Sequence, residues 1–404
     1  SLVNRVSSKF DYIVVDEISM ITSDLWKGLC EIKRKNPSIK FVLLGDDWQL
    51  PAVGDETNWF DHGIIKFLTE GQKIQLTVPQ RFDKNLDKIL SDVYQTGIIG
   101  KEFFTDKIAL ENNIVYTNSM RIYLNEIIME KLKTDDSIFI KHTDEHDPEG
   151  QDVHLYKGLK LIGRTNNEKL GIVNSLMYKV VSYGKEYTVV KSDDRHETIN
   201  INNNDILKLL LPAYAFTTHK SQGKTLDNVT IHEFDLMSKS NIGPQLKYTA
   251  CSRVRNANDL KIYKGPIDFN KLNAIKHRYK TVKDKNLLKS KVNSKIKSHK
   301  DFDIRHGLTC KNEQQMVDHK WFKSQLDEQN KQCYYCSAEM KTVYGPLDPK
   351  QFSIDRINDN FGHVKQNCVL SCLDCNRSKT NWRVKGIQMK RKQQNDNLSA
   401  MKFL

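Results

Sequence analysis

Short, continuous apolar runs that end in acidic residues constrain the N-terminal part of this chain most strongly. Residues 12–15 read Tyr-Ile-Val-Val and stop at Asp16 and Glu17, and residues 41–44 read Phe-Val-Leu-Leu and stop at Gly-Asp. Such runs are typical of buried parallel strands, whose carboxyl ends carry polar functional groups. Because a helix is predicted between them, over residues 23–35, the pattern indicates an α/β fold.

The length of the chain favours several domains. Its 404 residues are enough for two or three separate cores. A first α/β domain is predicted over residues 1–108 and a second α/β domain over residues 109–270. Within the second α/β domain, residues at about 153–204 form strand-like runs separated by turn residues, which indicates a small β insertion.

Positive charge is concentrated in one stretch of the chain. Residues 271–300 hold eleven Lys or Arg against one acid, a net charge of +10, whereas residues 301–404 contribute +5 and residues 1–270 contribute −2. We interpret residues 271–305 as a basic linker, either a solvated helix or a flexible segment, that favours a polyanionic partner. No apolar run approaches the roughly 18 residues that a membrane span needs, so we expect no membrane partner.

Four of the eight cysteines fall in two CxxC pairs separated by 35 residues: Cys333, Cys336, Cys372 and Cys375. Two such pairs supply the four thiolates of a closed tetrahedral structural zinc site. The alternative, unrelated buried cysteines, explains the spacing less well. Since CxxC pairs favour metal binding in a reducing compartment, we expect an intracellular protein (cytoplasm, nucleus or viral replication compartment) that is not secreted, with a zinc domain over residues 306–404.

Polar residues after the two apolar runs suit phosphoryl chemistry. Asp16 could bind Mg²⁺ and Glu17 could position the water that attacks a γ-phosphate, although strands also end in solvated acids. Gln49, in the proline-marked loop after the second run, could sense the γ-phosphate. Arg81 could stabilise charge on the transferred group, or it could form a surface salt bridge.

These segments, YIVVDEISMI, LLGDDWQLPAVG and LTVPQRFD, resemble in this order motifs II, III and IV of superfamily 1 helicases, nearest to the RecD and Pif-like branch. The resemblance implies RecA-like lobes with an SH3-like β insertion. It also implies ATP and Mg²⁺ as cofactors, and single-stranded and forked duplex DNA as partners.

Two later segments extend the resemblance. YAFTTHKSQGKTLDNV, residues 214–229, is similar to motif V, and YTACSRVRN, residues 248–256, is similar to motif VI. The similarity to motif V implies DNA contacts at Thr218, His219, Ser221 and Thr225, and nucleotide contacts at Gln222 and Gly223. The similarity to motif VI implies that Arg253 is a second arginine finger beside Arg81.

One departure from the family is the phosphate-binding loop, because no GxxxxGK[ST] occurs in the 404 residues. We therefore expect that this chain alone does not hydrolyse ATP. We favour a protein whose N-terminal part is missing here, since the sequence starts at Ser1. The alternative is an ATP-independent nucleic-acid-binding protein with degenerate helicase lobes.

The segment FSIDRINDNFGHVKQNCVLSCLDCNRSKTN, residues 352–381, resembles the ββα-metal core of HNH endonucleases with zinc knuckles. The resemblance implies an endonuclease in which Asp355 and Asn376 bind a catalytic divalent cation and Asn367 shapes the loop. It also implies phosphate contacts at Arg377 and Lys379.

The nuclease-like segment also departs from its family. Arg356 occupies the position where many members have histidine, so His363 is the nearest candidate for a general base, or it is a surface histidine. We expect an ATP-dependent DNA helicase coupled to an endonuclease, with replication or repair proteins as possible partners. The alternative for this segment is a zinc-stabilised DNA-binding module that does not cleave.

Overall fold

The computed structural model describes residues 10–52, 57, 59–192, 197–232, 243–308, 313–344 and 348–378. Contacts divide the chain into two compact units. The first comprises Ser1–Asp144 with Glu149–Lys276, and the second comprises Glu145–Pro148 with His277–Leu404. Within the described ranges, no helix combines the length and apolar character that a membrane crossing requires.

The strands of the first unit are short. In chain order they are β1 (Tyr12–Val15), β2 (Lys40–Leu43), β3 (Phe104–Thr105), β4 (Asn113–Val115), β5 (Ile138–Ile140), β6 (Val153–Leu155), β7 (Lys160–Gly163), β8 (Met177–Tyr183), β9 (Tyr187–Ser192), β10 (Thr198–Asn202), β11 (Leu210–Pro212), β12 (Ala215–Thr217), β13 (Val229–His232) and β14 (Leu260–Tyr263). Five of them form a parallel sheet in the order β12-β4-β13-β14-β3. β1 and β2 form a separate parallel pair.

The remaining strands of the first unit are antiparallel. β7 to β11 form a five-stranded sheet in the order β10-β9-β8-β7-β11, and β5 pairs with β6. The five-stranded sheet occupies the place of the β insertion predicted at about residues 153–204. β7 to β10 lie within those residues, whereas β11 follows them and β6 pairs with β5.

Helices flank these strands. They are α1 (Ser23–Lys35), α2 (Gly63–Thr69), α3 (Lys84–Thr96), α4 (Asn118–Leu132), α5 (Asn203–Leu209), α6 (Thr218–Ser221) and α7 (Gly243–Cys251). α3 shows how sequence sets the ends: the Asp83 side chain accepts a hydrogen bond from the amide of Leu86, and Gly97 closes the helix at φ 68°. Short 3₁₀ turns cover Ile18–Met20, Trp59–Asp61, Lys101–Phe103 and Ala257–Asp259.

The α/β prediction is confirmed by these elements. The helix expected over residues 23–35 runs from Ser23 to Lys35, and the two apolar runs form the adjacent parallel strands β1 and β2. The main core packs the parallel sheet against α3 and α7, with Leu90, Phe216 and Leu246 at its centre. Burial of this apolar surface is the principal stabilising contribution.

The second unit is built around a long helix. Its elements are most of α8 (Phe269–Arg305), then α9 (His319–Glu328), β15 (Phe352–Arg356), β16 (Cys368–Cys372) and α10 (Leu373–Arg377), with 3₁₀ turns at Glu313–Gln315 and Lys365–Asn367. β15 and β16 are antiparallel and α10 follows directly, which gives a ββα arrangement.

The basic segment is structured. Residues 271–305, interpreted from the sequence as a linker, lie within α8, and the boundary between the units falls after Lys276. Leu288, Val292 and Ile296 recur every four residues and pack in the core of the second unit. The C-terminal half of α8 therefore packs one face into that core and also presents a positively charged surface.

Candidate functional sites

The acidic pair lies at the carboxyl end of β1, as the sequence indicated. Glu17 adopts a left-handed backbone conformation, with φ 52° and ψ 50°, and its amide donates a hydrogen bond of 2.8 Å to Asp16 Oδ1. A left-handed non-glycine residue costs of order 1–3 kcal/mol and often marks a functional position. In this turn Asp16 is exposed and Glu17 is half-buried.

Glu17 lies among charges that are distant in sequence. Burial raises the pKa of its carboxyl above 4.5, Asp16 and Asp46 add to the rise, and Arg253 and Arg81 oppose it. Arg81 follows Glu17 by more than 60 residues, and Arg253 follows it by more than 230. The fold therefore brings a carboxylate from β1 close to two guanidinium groups from other elements.

Arg253 is almost fully buried, at 1% exposure, two residues after α7. Its Nε donates to Thr249 O at 2.8 Å, Nη1 to Ser221 O at 3.3 Å, and Nη2 to Ser252 Oγ at 2.6 Å. Burial, together with the positive charge of Arg81, lowers the pKa of this guanidinium to about 10. The group is held rigidly and remains a cation at neutral pH.

Arg81 contacts the segment that resembles motif V. Its Nη2 donates to Thr225 Oγ1 at 2.5 Å and to Lys224 O at 3.3 Å. Thr225, predicted as a DNA contact, is exposed, and its hydroxyl accepts a hydrogen bond from this arginine. Gly223 has φ +74°, a conformation that strains any residue with a side chain.

Two motif glutamines have unsatisfied amide groups. Gln49 Nε2 donates to Asp46 Oδ2 at 3.3 Å, but Gln49 Oε1 is buried without a hydrogen-bond partner. Both amide atoms of Gln222 are also buried without partners. Since buried polar atoms are normally paired, these amides can accept a ligand or water.

An aromatic cluster around Asp46 was missed by the sequence reasoning. The Tyr248 hydroxyl donates to Asp46 Oδ2 at 3.0 Å, and the amide of Trp48 donates to Asp46 Oδ1 at 2.9 Å. Trp48 stacks on Tyr94 with ring centroids 4.4 Å apart. The available signals were Asp46 at the end of the second apolar run and Tyr248 at the start of the segment resembling motif VI.

The predicted hydroxyl contacts to DNA need correction at two positions. Thr218 and Ser221 are fully buried; Thr218 Oγ1 donates to Val115 O and Ser221 Oγ donates to Thr218 O. Both hydroxyls close the strand-to-helix turn at α6, so neither is available to a phosphate. His219 is half-buried, and burial lowers the pKa of its imidazole.

The four cysteines of the CxxC pairs converge. All four sulfur atoms lie within 4.8 Å of one another, and Cys336 Sγ is 3.8 Å from Cys372 Sγ. A tetrahedral zinc with Zn–S bonds of about 2.3 Å needs sulfur separations of about 3.8 Å. The donor set and the spacing therefore fit a structural zinc ion. Among the residues that the structure describes, this is the one group of His, Cys, Asp or Glu with metal-site spacing.

The nuclease-like residues lie on the ββα arrangement. Asp355, on β15, is 2% exposed and accepts a hydrogen bond of 2.7 Å from the Tyr335 hydroxyl. Asn376, on α10, donates to Ser353 Oγ at 2.6 Å. Ser353 and Asp355 are two residues apart on one strand and therefore share a face, which brings Asn376 to the same side as Asp355.

Asn367 holds the loop between the two strands. Its amide donates to Asn358 O at 2.9 Å and Gly362 O at 3.1 Å, and its Oδ1 accepts from the Asn358 amide at 2.9 Å. The side chain is fully buried. These bonds give Asn367 the loop-shaping position that its motif implies.

His363 is buried, at 5% exposure, so the surface alternative is wrong. Its Nδ1 lies 2.7 Å from Asp303 Oδ1, and burial lowers the pKa of its imidazole while Asp303 opposes that shift. Arg377 is exposed at the end of α10, and Lys379 lies outside the described residues.

The chain is similar to several known proteins. No protein-family model matches it. An uncharacterized protein of Acanthamoeba polyphaga mimivirus is 25% identical over 153 residues, covering 33% of this chain and 25% of that protein. The chain thus spans about a quarter of the length of this relative.

Solved structures of Pif1 helicases also align with the chain. The Pif1 helicase from Candida albicans has a TM-score of 0.49 at 18% identity, covering 69% of this chain and 78% of that chain. Bacteroides Pif1 bound to ssDNA has a TM-score of 0.48 at 18% identity, covering 69% and 77%.

Proposed function

We propose that the first unit is the ATP-hydrolysing part of a DNA helicase or translocase. The observation that carries this proposal is the electrostatic interaction of Glu17 with Arg253 and Arg81, which are far apart in sequence. In this role Asp16 binds Mg²⁺ and Glu17 orients the attacking water. The two guanidinium groups stabilise the charge that develops on the γ-phosphoryl group.

Gln49, Gln222 and the turn at Gly223 fit the same proposal. Gln49 and Gln222 present buried, unpaired amide atoms that a bound nucleotide and its water would satisfy. Gly223 lies directly beside Gln222, in the turn that Arg81 contacts through Lys224 and Thr225. A change at the phosphate would thereby reach the segment that resembles motif V.

The proposed activity needs one group that this sequence does not supply. The 404 residues contain no GxxxxGK[ST] loop, so the proposed activity requires that other residues hold the β- and γ-phosphates. A forked DNA duplex is the proposed substrate, and translocation follows from closure and opening around ATP.

Glu17→Gln tests the motor in the natural protein. We expect DNA-stimulated ATP hydrolysis and fork unwinding to fall by about 10²-fold or more, because the water loses its base, while binding of fluorescent ATP persists. Glu31→Gln, an exposed control on α1, should leave both rates unchanged. Wild-type protein that binds forks but never unwinds them with ATP would favour an ATP-independent nucleic-acid-binding protein.

We also propose that the second unit is a zinc-stabilised, metal-dependent DNA endonuclease. Asp355 and Asn376 would hold a divalent cation on the ββα arrangement, and the four cysteines would hold zinc. The cation, when bound, would activate water and stabilise the leaving oxygen. His363 would accept the proton of that water, and Arg377 would contact phosphate.

Asp355→Asn tests the nuclease in the 404-residue chain, with supercoiled plasmid and Mg²⁺ or Mn²⁺. We expect nicking to fall by more than the roughly 10–100-fold that changes around a metal site cause, because a cation ligand is lost. The substitution keeps the acceptor for the Tyr335 hydroxyl, so zinc content should not change. Asp327→Asn, an exposed control on α9, should nick normally. Nicking that survives in Asp355→Asn would exclude this site.

A further inference from the structure

The basic helix α8 contributes a buried carboxylate to the nuclease-like unit. Asp303, near the C-terminal end of α8, is 1% exposed. Both of its oxygens face His363: Oδ1 lies 2.7 Å from the ring Nδ1, and Oδ2 accepts the His363 backbone amide at 2.6 Å. In the described part of the chain, no lysine or arginine pairs with Asp303. His363 is thus the hydrogen-bonding partner of this carboxylate.

This geometry selects one tautomer of His363. Because an ionised carboxylate only accepts hydrogen bonds, the proton of a neutral imidazole must lie on Nδ1. Nε2 is then left with a free lone pair, which is the state that a general base requires. Burial, which lowers the pKa of His363, keeps the ring in this neutral form near pH 7.

Neighbouring groups fix the plane of the ring. His299, one turn before Asp303 on α8, stacks on His363 with centroids 4.0 Å apart and planes 26° apart. Gly362 permits the approach, since a Cβ there would lie 2.9 Å from Asp303 Oδ2. The backbone oxygen of His363 accepts the amide of Val317 at 3.1 Å. The imidazole therefore has little freedom to rotate away.

The charges around this histidine come from two elements. Asp303 belongs to α8, whereas Asp355 and Arg356 belong to β15, and all three interact electrostatically with His363. Lys295 of α8 acts on His299, the stacked partner. Asp355, the carboxylate for which we propose the divalent cation, is thus among the charges that act on His363.

We propose that Asp303 is the positioning residue for His363, so that α8 orients the histidine that we propose as the general base. The inference rests on the proposed endonuclease function. Asp303 touches neither DNA nor cation; it acts by holding the Nδ1–H tautomer and the orientation of the ring. The role is distinct from the phosphate contacts expected of a basic helix, because it uses an acidic residue on its buried face.

Asp303→Asn gives a specific signature. The amide has one acceptor oxygen, whereas His363 presents two donors to this side chain. The backbone N–H cannot change, so the Asn oxygen must face it and the NH₂ group must face Nδ1. We therefore expect the tautomer to reverse, with the ring proton moving to Nε2.

Nuclear magnetic resonance of ¹⁵N-histidine-labelled full chain measures this directly, with His363→Asn used for assignment. Wild-type protein should show protonated Nδ1 and unprotonated Nε2, and Asp303→Asn should show the reverse at unchanged zinc content. Asp301→Asn, an exposed control two residues away on α8, should match wild type. An Nε2–H tautomer in the wild-type protein would overturn the proposal without recourse to any variant.

Single-turnover nicking tests the catalytic consequence. Asp303→Asn should lower the rate by about 10²-fold, the lower end of general-base contributions, with DNA affinity unchanged. Combined with His363→Asn, it should cause no further loss, because both changes remove one function. Additive losses, or normal nicking with a reversed tautomer, would refute the positioning role. If wild-type protein shows the Nδ1–H tautomer but never nicks, the endonuclease proposal itself has failed.

Discussion

His232 illustrates how a single buried residue makes the stability of the first unit depend on pH. It is 1% exposed on β13, its Nε2 lies 2.9 Å from Asn113 Oδ1, and burial lowers the pKa of its imidazole to about 3. The unfolded chain takes up a proton below a pKa of about 6.5, whereas the folded protein resists protonation down to about pH 3. The stability due to the neutral ring is therefore complete above about pH 6.5 and is lost as the pH falls towards 3.

The corresponding prediction is a difference in pH slope. Between pH 7 and pH 5, wild-type protein should lose about 2 kcal/mol of unfolding free energy through this histidine, a loss absent in His232→Gln. Urea unfolding at several pH values measures it. His277→Gln, at an exposed position of α8, should keep the wild-type slope. Equal slopes in His232→Gln and wild type would contradict the assignment.

At the scale of the element, α8 is the helix whose structural role was hardest to predict from the sequence. Val292 is fully buried in the core of the second unit, while Asn293 beside it is exposed. Val292→Asp places an unpaired charge in this core and should cost about 3–5 kcal/mol. Asn293→Asp introduces the same residue on the surface and should stay within about 0.5 kcal/mol of wild type. Urea unfolding with simultaneous zinc measurement compares the two.

Local sequence patterns predicted most of the helices and strands but fewer of the tertiary contacts between them. The ends of β1 and β2 and the bounds of α1 follow from apolar runs and helix periodicity within a few residues. The apolar positions of α8 have the same periodicity, but its many lysines favoured a linker in the sequence. Whether a motif hydroxyl faces solvent depends on packing against another strand, as Thr218 against β4 shows.

At the scale of the whole molecule, the residues that sequence reasoning could not bring together are those separated by long stretches of chain. The four cysteines were grouped because their spacing is a local signal. The Asp303–His363 pair, 60 residues apart, and the Tyr248–Asp46 pair, 202 residues apart, carry no such signal. Their partners are determined by the tertiary fold, which the sequence alone does not reveal.

Zinc removal should separate the behaviour of the two compact units. The cysteine cluster lies in the second unit, where Cys333, Cys372 and Cys375 belong to its core, so loss of zinc removes both ligand bonds and packing. With a strong chelator, hydrogen exchange should accelerate in peptides from β15, β16 and α9. Peptides from the parallel sheet of the first unit should keep their protection, because its core contains none of the four ligands. Cys375→Ser should reproduce this pattern without chelator, whereas Cys30→Ser, a buried cysteine of the first unit, should leave zinc content unchanged. Unchanged protection of β15 and β16 after complete zinc loss would mean that the metal does not stabilise this fold.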